Sequence, residues 1–265
     1  EYNAIAEAGI AWARPHPGPF SWGYTEVSQG EYDWSKTDAW VQSAQKHGVH
    51  TLATIFPYAD WDQCKPGCQV SSTDHFARGR NQIPHNRCAP CDINGYTSWL
   101  SDLVERYDGD GVNDMPGLSL PISHYEILNE PEMNSPELTF FIGTAKEYAV
   151  ILNVSYTAVK TACADCYVLH GGAAGSPDTL GYWNDVFSYG PSFDISNIHY
   201  IGMWDRQSLN TKDWNELLQQ NSISAPIWVT EAEISGQEYS VIKNNLVNTE
   251  RTFLVWYDQS DGFTC

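Results

Sequence analysis

Short apolar runs rich in β-branched residues alternate along this chain with longer segments whose apolar residues recur every three or four positions. The first pattern is typical of buried strands and the second of amphipathic helices. Repeated alternation of the two predicts a parallel sheet built from βα units. Six strands are predicted in this way, at residues 10–14, 49–56, 124–128, 167–170, 195–199 and 226–230.

The predicted helices and the chain ends indicate how complete the sheet is. Helices are predicted at residues 33–46, 96–107, 136–161, 179–187, 211–220 and 238–249. Residues 2–8 resemble the end of a further helix, and the apolar run at 253–257 is either a strand or continued helix. Eight strands close a barrel of this type. We therefore predict one α/β domain over residues 1–265, a (β/α)8 TIM barrel that is expected to lack its first and last strands in this chain.

The composition excludes two classes of partner. The 265 residues suit one ordinary domain, and their net charge of −19 would repel nucleic acid and anionic membranes. No apolar stretch of the sequence approaches the ~20 residues that cross a bilayer. Eleven Trp and fifteen Tyr have two explanations, a large α/β core or flat aromatic faces that stack on sugar rings.

Seven cysteines indicate an oxidising compartment. Four of them form two closely spaced pairs in the long loop after the second predicted strand, namely Cys64, Cys68, Cys88 and Cys91. Four such thiols can form disulfides or a tetrahedral zinc site. Disulfides suit an acidic, lysine-poor chain better, so we expect a secreted, extracellular protein.

Two predicted strands lead directly into a glutamate. One is followed by Asn129-Glu130 and the other by Glu231. Groups that follow the strands of a parallel barrel gather at one end of it, and about three βα units separate these two glutamates, so they are expected to face each other across the barrel mouth. Two carboxyls at ~5 Å suit double displacement at a sugar anomeric carbon. Glu233 is the rival for Glu231, because residues i and i+2 share a strand face.

The segments around these glutamates resemble a known family. Residues 127–131 (ILNEP) and 227–231 (IWVTE) resemble the motifs that end strands four and seven of clan A of the glycoside hydrolases. Residues 9–14 are similar to the second strand of that clan, and residues 30–34 to the segment before its second helix. The resemblance covers nearly the whole chain and is closest to families 5 and 39. It implies a TIM barrel and a retaining glycosidase.

The resemblance also implies roles for the matching positions. Glu130 corresponds to the acid/base and Glu231 to the nucleophile. Asn129 is expected to bind the sugar 2-hydroxyl, and Arg14 to keep Glu231 ionised by charge pairing.

His199 and Tyr200 resemble the clan's His and Tyr near the nucleophile. Because adjacent strand residues point to opposite faces, only one of these two is expected to point straight into the barrel mouth. Aromatic residues in loops after the strands are candidates for the walls of a sugar groove; these are Trp22, Tyr58, Trp61 and Trp204.

Several other residues are predicted to be structural. The tryptophans within predicted helices are assigned to the core; these are Trp40, Trp99, Trp183 and Trp214. His170 is likewise predicted to be a core residue. Glu126 is expected to pair with a basic neighbour, and Glu132 to be a solvated loop carboxylate.

Two carboxylates and water suffice for retaining hydrolysis, so neither a cofactor nor a metal is expected. The predicted substrate is a β-linked polysaccharide or oligosaccharide, with loops 58–94 and 200–212 as groove walls for endo action. The alternatives are an exo-acting enzyme such as a β-xylosidase, a barrel that only binds carbohydrate, and a metal-dependent hydrolase. The protein is expected to be a monomer whose partner is carbohydrate, with neither nucleic acid nor a membrane as partner.

Overall fold

The strands of the structure lie close to the predicted ones. This computed structural model describes residues 11–62, 64–77, 83–174, 178–201, 211–233 and 251–252. The strands are β1 (Trp12–Ala13), β2 (Glu26–Ser28), β3 (Glu31–Tyr32), β4 (His50–Ile55), β5 (His124–Asn129), β6 (Tyr167–Gly172), β7 (Ser196–Ile201), β8 (Ile227–Glu233) and β9 (Arg251–Thr252). The helices are α1 (Trp22–Thr25), α2 (Ser35–Lys46), α3 (Ile93–Tyr107), α4 (Ala145–Ala162), α5 (Thr179–Ser188) and α6 (Thr211–Gln220).

The order of the parallel strands follows the chain. Strands β1, β4, β5 and β6 pair in that order, and β7, β8 and β9 form a second set, with parallel pairing throughout both sets. Bridges from Leu169 to Ile195 and from Ala173 to Ile198 connect β6 with β7. Strands β2 and β3 form a separate antiparallel hairpin. The prediction of an α/β fold with at least six parallel strands is confirmed.

The two faces of the sheet bury different side chains. A large cluster between the strands and helices includes Ala53 of β4 and the fully buried Trp99, Trp183 and Trp214, as predicted for these three tryptophans. Trp40 is only partly buried against that cluster. A smaller cluster on the opposite face of the strands consists of Leu52, Leu169, Ile195 and Trp228, with Trp12 packed against it. Since neighbouring strand residues point to opposite faces, this second cluster fills the inside of the barrel.

Helix α4 begins nine residues later than predicted, at Ala145 instead of 136. Thr144 caps it: its hydroxyl accepts a hydrogen bond from the Glu147 amide, while the Glu147 carboxylate accepts one from the Thr144 amide. This reciprocal arrangement is a capping box. Phe140 and Phe141 before it are buried, so the apolar residues of this segment enter the core from a loop. The Thr-x-x-Glu pattern was the sequence signal for the true start.

The cysteines settle one open alternative. The long loop between β4 and α3 is closed by two disulfides, and a third follows α4; the pairs are Cys64–Cys91, Cys68–Cys88 and Cys163–Cys166. The zinc alternative for the four loop cysteines is therefore wrong, because their thiols are bonded to one another.

Two predicted segments near the end of the chain, the helix at 238–249 and the apolar run at 253–257, lie outside the described residues. Strand β9 lies between them and pairs Arg251 with Trp228 and Thr252 with Val229. A parallel strand therefore leads directly into the apolar run.

Among the described helices, none combines the length and the apolar character that a bilayer crossing would need.

Candidate active site

Strand β5 ends in a backbone distortion that sets the site. The pairing with β6 passes from Ile127 to Asn129, and Leu128 between them has a φ of 67°. Glu130 follows with a φ of 35°. Positive φ is rare for residues with a side chain and concentrates at functional sites. The distortion interrupts the strict alternation of the strand, so both Asn129 and Glu130 contribute side chains to the same cluster.

Strand β8 has a comparable irregularity. Ile198 of β7 pairs with Val229, but the next residue, His199, pairs with Glu231. Thr230 is thus the extra residue of a bulge, a feature that re-aims side chains near active sites. As a result, Thr230 and Glu231 both reach the cluster around His199. Glu233 lies at the end of β8, and its side chain is outside the described residues, so the preference for Glu231 remains a prediction.

Glu130, His199 and Glu231 form the centre of the site. Each contributes an oxygen or nitrogen atom, and these three atoms lie within 4.8 Å of one another. Nδ1 of His199 is 2.7 Å from Oε1 of Glu130 and 3.6 Å from Oε2 of Glu231. The two glutamates are 4% and 7% exposed. Two carboxyls therefore share a nearly dry site with one imidazole between them.

Arg14 binds the site from beneath. Its Nε and Nη2 donate to the two oxygens of Glu126 at 2.6 and 3.0 Å. Nη2 also donates to Oδ1 of Asn129 at 2.6 Å, and Nη1 to Oε2 of Glu231 at 3.2 Å. The structure brings Arg14 to Glu231 as expected, but its two-pronged contact is with Glu126. The prediction that Glu126 pairs with a basic neighbour is confirmed.

The charges of these groups follow from their surroundings. Burial raises the pKa of Glu130, and the Glu231 charge adds to this, while the hydrogen bond from His199 opposes both. Burial also tends to raise the pKa of Glu126, but the charge of Arg14 outweighs it and holds that pKa well below its usual range. Burial lowers the pKa of His199, yet the carboxylates of Glu231, Glu126 and Glu130 outweigh this effect and raise the pKa to about 9. Glu130 therefore favours its neutral form, whereas Glu126 and His199 favour their charged forms. Neighbouring groups whose pKa values are shifted in opposite directions are typical of acid–base sites.

No family model matches the sequence, and no curated protein matches it. By structure the chain is similar to a glucosidase from Croceicoccus marinus, with a TM-score of 0.69 and 13% identity over 99% of this chain and 56% of that one. It is also similar to a family 39 β-xylosidase from Caulobacter crescentus, with a TM-score of 0.61 and 18% identity over 97% and 57%. The chain is similar as well to a psychrophilic family 10 endo-β-1,4-xylanase, with a TM-score of 0.58 and 12% identity over 97% of this chain and 83% of that one.

These similar structures are clan A glycoside hydrolases with TIM barrels. The chain has the fold of the TIM-barrel glycoside hydrolases. It spans just over half the length of the first two of these proteins. At these identities the likeness concerns the fold, and it confirms the barrel that the sequence motifs implied.

Two of the predicted sugar-groove residues lie instead in the large hydrophobic cluster between the strands and the helices. Trp22 is 0% exposed and donates its indole N–H to Glu26, and Tyr58 is 1% exposed and donates to the carbonyl of Phe140. Neither ring has a face open to a sugar, so both interpretations are wrong. Their position after a strand suggested exposure, but the loops fold back over them.

Trp61 remains a candidate for the wall of the sugar groove. It is partly buried, donates its indole N–H to the Glu26 carbonyl and packs edge-on against Trp22 at 4.9 Å. Trp204 and the side chain of Tyr200 lie outside the described residues. His170 is a core residue, as predicted: its Nε2 accepts from the Asn197 amide, and burial lowers its pKa to about 4.

His16 is a site residue that the sequence reasoning missed. It follows Arg14 by two residues, and within the described part of the chain its buried Nδ1 has no hydrogen-bond partner. Burial, helped by the nearby Arg14 charge, lowers its pKa to about 3, so the ring is neutral. Its spacing from Arg14 was the available signal, because both residues follow the same strand.

Glu132 contradicts the prediction of a solvated loop carboxylate. Its Oε1 accepts hydrogen bonds from the Ala174 amide at 2.7 Å and the Trp183 indole at 3.0 Å. Its Oε2 is enclosed and has no hydrogen-bond partner among the described residues. Burial raises the pKa of this carboxyl to about 8. Its partners come from the loop after β6 and from α5, which sequence proximity could not reveal.

The central triad is also a donor set that could hold a metal ion. The guanidinium of Arg14 is already 3.2 Å from Glu231. A divalent cation bound to Glu231 would therefore lie close to the positive charge of Arg14, and like charges repel strongly in a buried site. Both nitrogens of His199 are engaged as well, with Glu130 and with Thr230 at 3.1 Å. These contacts favour proton chemistry at this site.

Proposed function

We propose that this protein is a secreted, retaining β-glycoside hydrolase in which Glu130 is the acid/base and Glu231 the nucleophile. The observation that carries the proposal is the separation of the two carboxyls, which have oxygens within 4.8 Å of each other. Retaining glycosidases hold their carboxyls ≈5–5.5 Å apart, whereas inverting enzymes leave room for a water at about 6.5–9.5 Å.

In the first step, an oxygen of Glu231 attacks the anomeric carbon and the bond from that carbon to the leaving oxygen breaks. The proton of Glu130 passes to the leaving oxygen. Glu130 is suited to this because its pKa is raised by burial and by the Glu231 charge. Arg14 at 3.2 Å supports the charged form of Glu231.

In the second step, Glu130 takes a proton from water, whose oxygen forms the new bond to the anomeric carbon while the ester bond to Glu231 breaks. Both glutamates return to their starting protonation states. His199, 2.7 Å from Glu130, remains close enough to stabilise the carboxylate that exists between the two steps. Asn129 is oriented by Arg14 to bind the sugar 2-hydroxyl.

The proposed substrate is a β-linked oligosaccharide or polysaccharide of glucose or xylose. The similar structures include a glucosidase, a β-xylosidase and xylanases. The loop from β4 to α3, held by the disulfides Cys64–Cys91 and Cys68–Cys88, would form one wall of a groove for endo action. Loop 200–212, the other candidate wall, lies almost entirely outside the described residues. Exo action and carbohydrate binding without hydrolysis are the alternatives.

The test is covalent trapping with 2,4-dinitrophenyl 2-deoxy-2-fluoro-β-glucoside and the corresponding β-xyloside, followed by peptide mass spectrometry. We expect one adduct, on Glu231, from the sugar that the enzyme prefers. An adduct on Glu233 would keep the reaction class and replace the nucleophile. Folded protein that neither forms an adduct nor hydrolyses either aryl glycoside would overturn the proposal in favour of binding alone.

Azide rescue separates the two roles. Glu130→Ala is expected to lose activity by about 10²–10⁴-fold and to regain it with azide, giving a β-glycosyl azide. Glu231→Ala with azide should give the α-azide. The exposed loop residue Glu137 provides the matched control, and E137Q should stay within about twofold of the wild type. Activity that vanishes on dialysis against EDTA and returns with a divalent cation would support the metal-dependent alternative.

A further inference from the structure

Glu126 is a buried carboxylate that the proposed reaction steps do not use. It lies on β5, four residues before Glu130, and is 0% exposed. Its contacts within the site are with Arg14, with Thr230 at 3.5 Å and with His199 at 3.9 Å. The carboxylate therefore lies beneath the reacting groups.

The hydrogen bonds of Glu126 connect it to five other strands. Oε2 accepts from Arg14 Nε after β1 and from Thr54 Oγ1 of β4 at 2.8 Å. Oε1 accepts from Arg14 Nη2, from the Gly172 amide of β6 at 3.3 Å and from Asn197 Nδ2 of β7 at 2.6 Å. It also accepts, at 3.5 Å, from Thr230 Oγ1 of β8. These six donor atoms exceed the ≈4 lone-pair sites that a carboxylate offers. Its position is thus fixed by the barrel itself.

This fixed carboxylate determines how Arg14 is oriented. The planar guanidinium fork is held along its Nε–Nη2 edge by Glu126, because a two-pronged contact fixes both position and plane. Nη1 is then directed to Glu231 and Nη2 to Asn129. Without Glu126, the guanidinium would be free to turn its fork onto Glu231, the other carboxylate within its reach.

The charge of Glu126 also completes the balance of the site. When Glu130 holds its proton, the negative charges of Glu126 and Glu231 offset the positive charges of Arg14 and His199. Removing the charge of Glu126 would leave a net positive charge, which favours the ionised form of Glu130. Three other titratable groups near Glu126 are neutral and leave this balance unchanged. Burial lowers the pKa of His16 to about 3 and that of His170 to about 4, and it raises the pKa of Tyr148.

We infer that Glu126 is a positioning residue, which orients Arg14 toward Glu231 and Asn129 and keeps the buried site electrically balanced while Glu130 carries its proton. This inference rests on the proposed function. It assigns to Glu126 no contact with the substrate.

The test compares Glu126→Gln, which removes the charge at constant shape, with Glu126→Asp, which keeps the charge one methylene further back. The matched control is Asp74→Asn, because Asp74 pairs with Arg87 in an equally buried salt bridge in the loop after β4. For E126Q we expect kcat/KM to fall about 100-fold, mainly in kcat. The alkaline limb of the pH profile of kcat/KM reports loss of the Glu130 proton. In E126Q this limb should move to lower pH by about one unit.

E126D should keep the alkaline limb of the wild type while kcat falls, because the charge stays and Arg14 shifts. D74N should lower the urea midpoint and leave the pH profile in place. The inference is overturned if E126Q keeps the kcat and the alkaline limb of the wild type. It is also overturned if D74N moves the alkaline limb as far as E126Q does. If E126Q does not fold, E126D decides the question, and an unchanged kcat in that variant overturns the inference.

An NMR titration of His199 separates this inference from the proposed function, because it requires no turnover. Loss of the Glu126 charge should lower the pKa of His199 by about one unit, since an adjacent carboxylate favours imidazolium. D74N should leave that titration unchanged. A lower His199 pKa in E126Q, together with a wild-type protein that hydrolyses no glycoside, would overturn the proposed function and support the electrostatic role of Glu126. An unshifted titration overturns that role even in an active enzyme.

Discussion

Two carboxyls on either side of Glu130 in the chain, those of the buried Glu126 and the partly buried Glu132, differ in their hydrogen bonds and in their charge. Glu126 receives the charged guanidinium of Arg14 together with neutral donors, and both of its oxygens are bonded. Glu132 receives two neutral N–H donors on one oxygen, while the other oxygen has no partner among the described residues. The first is ionised, and the pKa of the second is raised to about 8. Burial alone does not decide the charge of a carboxyl; the charge of its donors does.

The comparison extends to the two regions around these residues. The floor of the site, made by Arg14, Glu126, Gly172, Asn197 and Thr230, is fully bonded and tightly packed. The side wall is made by Glu132, Ala174, Tyr182 and Trp183. It contains two enclosed oxygens that have no hydrogen-bond partner in the described part of the chain, Oε2 of Glu132 and the hydroxyl of Tyr182. We therefore expect changes in the floor to be costly and polar deletions in the side wall to be tolerated.

The largest effect is expected from Gly172→Ala. A Cβ at Gly172 would overlap the imidazole of His199, whose two nitrogens are both hydrogen-bonded. The ring must move away from Gly172, which disturbs its contacts with Glu130 and Thr230. A displacement of about 1 Å in a catalytic arrangement can lower kcat about 100-fold. Steady-state kinetics on the best aryl glycoside would measure the loss.

Gly181→Ala is the control, because a Cβ at this position in α5 would meet no atom within 4 Å. It should retain full activity and gain up to about 1 kcal/mol of stability from helix propensity. Equal activity of G172A and G181A would show that the floor can accommodate an added methyl group. The proposed difference in tolerance between the floor and the side wall would then be wrong.

A smaller, pH-dependent effect is expected from Glu132→Gln. The folded protein holds the Glu132 proton more tightly than the unfolded chain does, so raising the pH from about 5 to 8 favours unfolding. The variant has no such proton. Its free energy of unfolding relative to the wild type should therefore rise with pH, by at most about 1.4 kcal/mol per unit, and level off above about pH 8.

Urea unfolding at several pH values between 5 and 9 would measure this difference. Glu137→Gln, at an exposed position seven residues after Glu130, is the matched control and should run parallel to the wild type. A constant difference between E132Q and the wild type over this range would mean that Glu132 is ionised in the folded protein, which would remove the distinction from Glu126.

The sequence predicted those residues of the site that lie at strand ends, because periodicity can locate such ends. Arg14, Asn129 and His199 follow or end predicted strands, and the structure brings them together. The two backbone irregularities were not predictable from the same signals. Leu128 adopts a φ of 67° without being glycine or asparagine. Nothing in the β8 run Ile-Trp-Val-Thr-Glu indicates that Thr230 would be the extra residue opposite β7.

The side wall was predicted poorly for a different reason. Glu132 was expected to be solvated because it follows Pro131 in a loop, but its partners Ala174 and Trp183 lie more than 40 residues later. Trp22 and Tyr58 were misassigned in the same way, since the loops that cover them have no periodicity. Burial that depends on contacts between loops distant in sequence is the part of this fold that a single sequence does not reveal.

The smallest expected effect concerns a single hydroxyl. Tyr182 has its hydroxyl enclosed without a partner among the described residues, whereas the equally enclosed hydroxyl of Tyr96 bonds Ser155 at 2.7 Å. Tyr182→Phe should leave the free energy of unfolding unchanged or raise it by up to about 1 kcal/mol, because an unsatisfied buried group is removed. Tyr96→Phe should lower it by about 1–3 kcal/mol, since Ser155 loses its partner. Paired urea curves would compare them. Equal losses in both variants would mean that the Tyr182 hydroxyl is satisfied in solution, and that the side wall is as fully bonded as the floor.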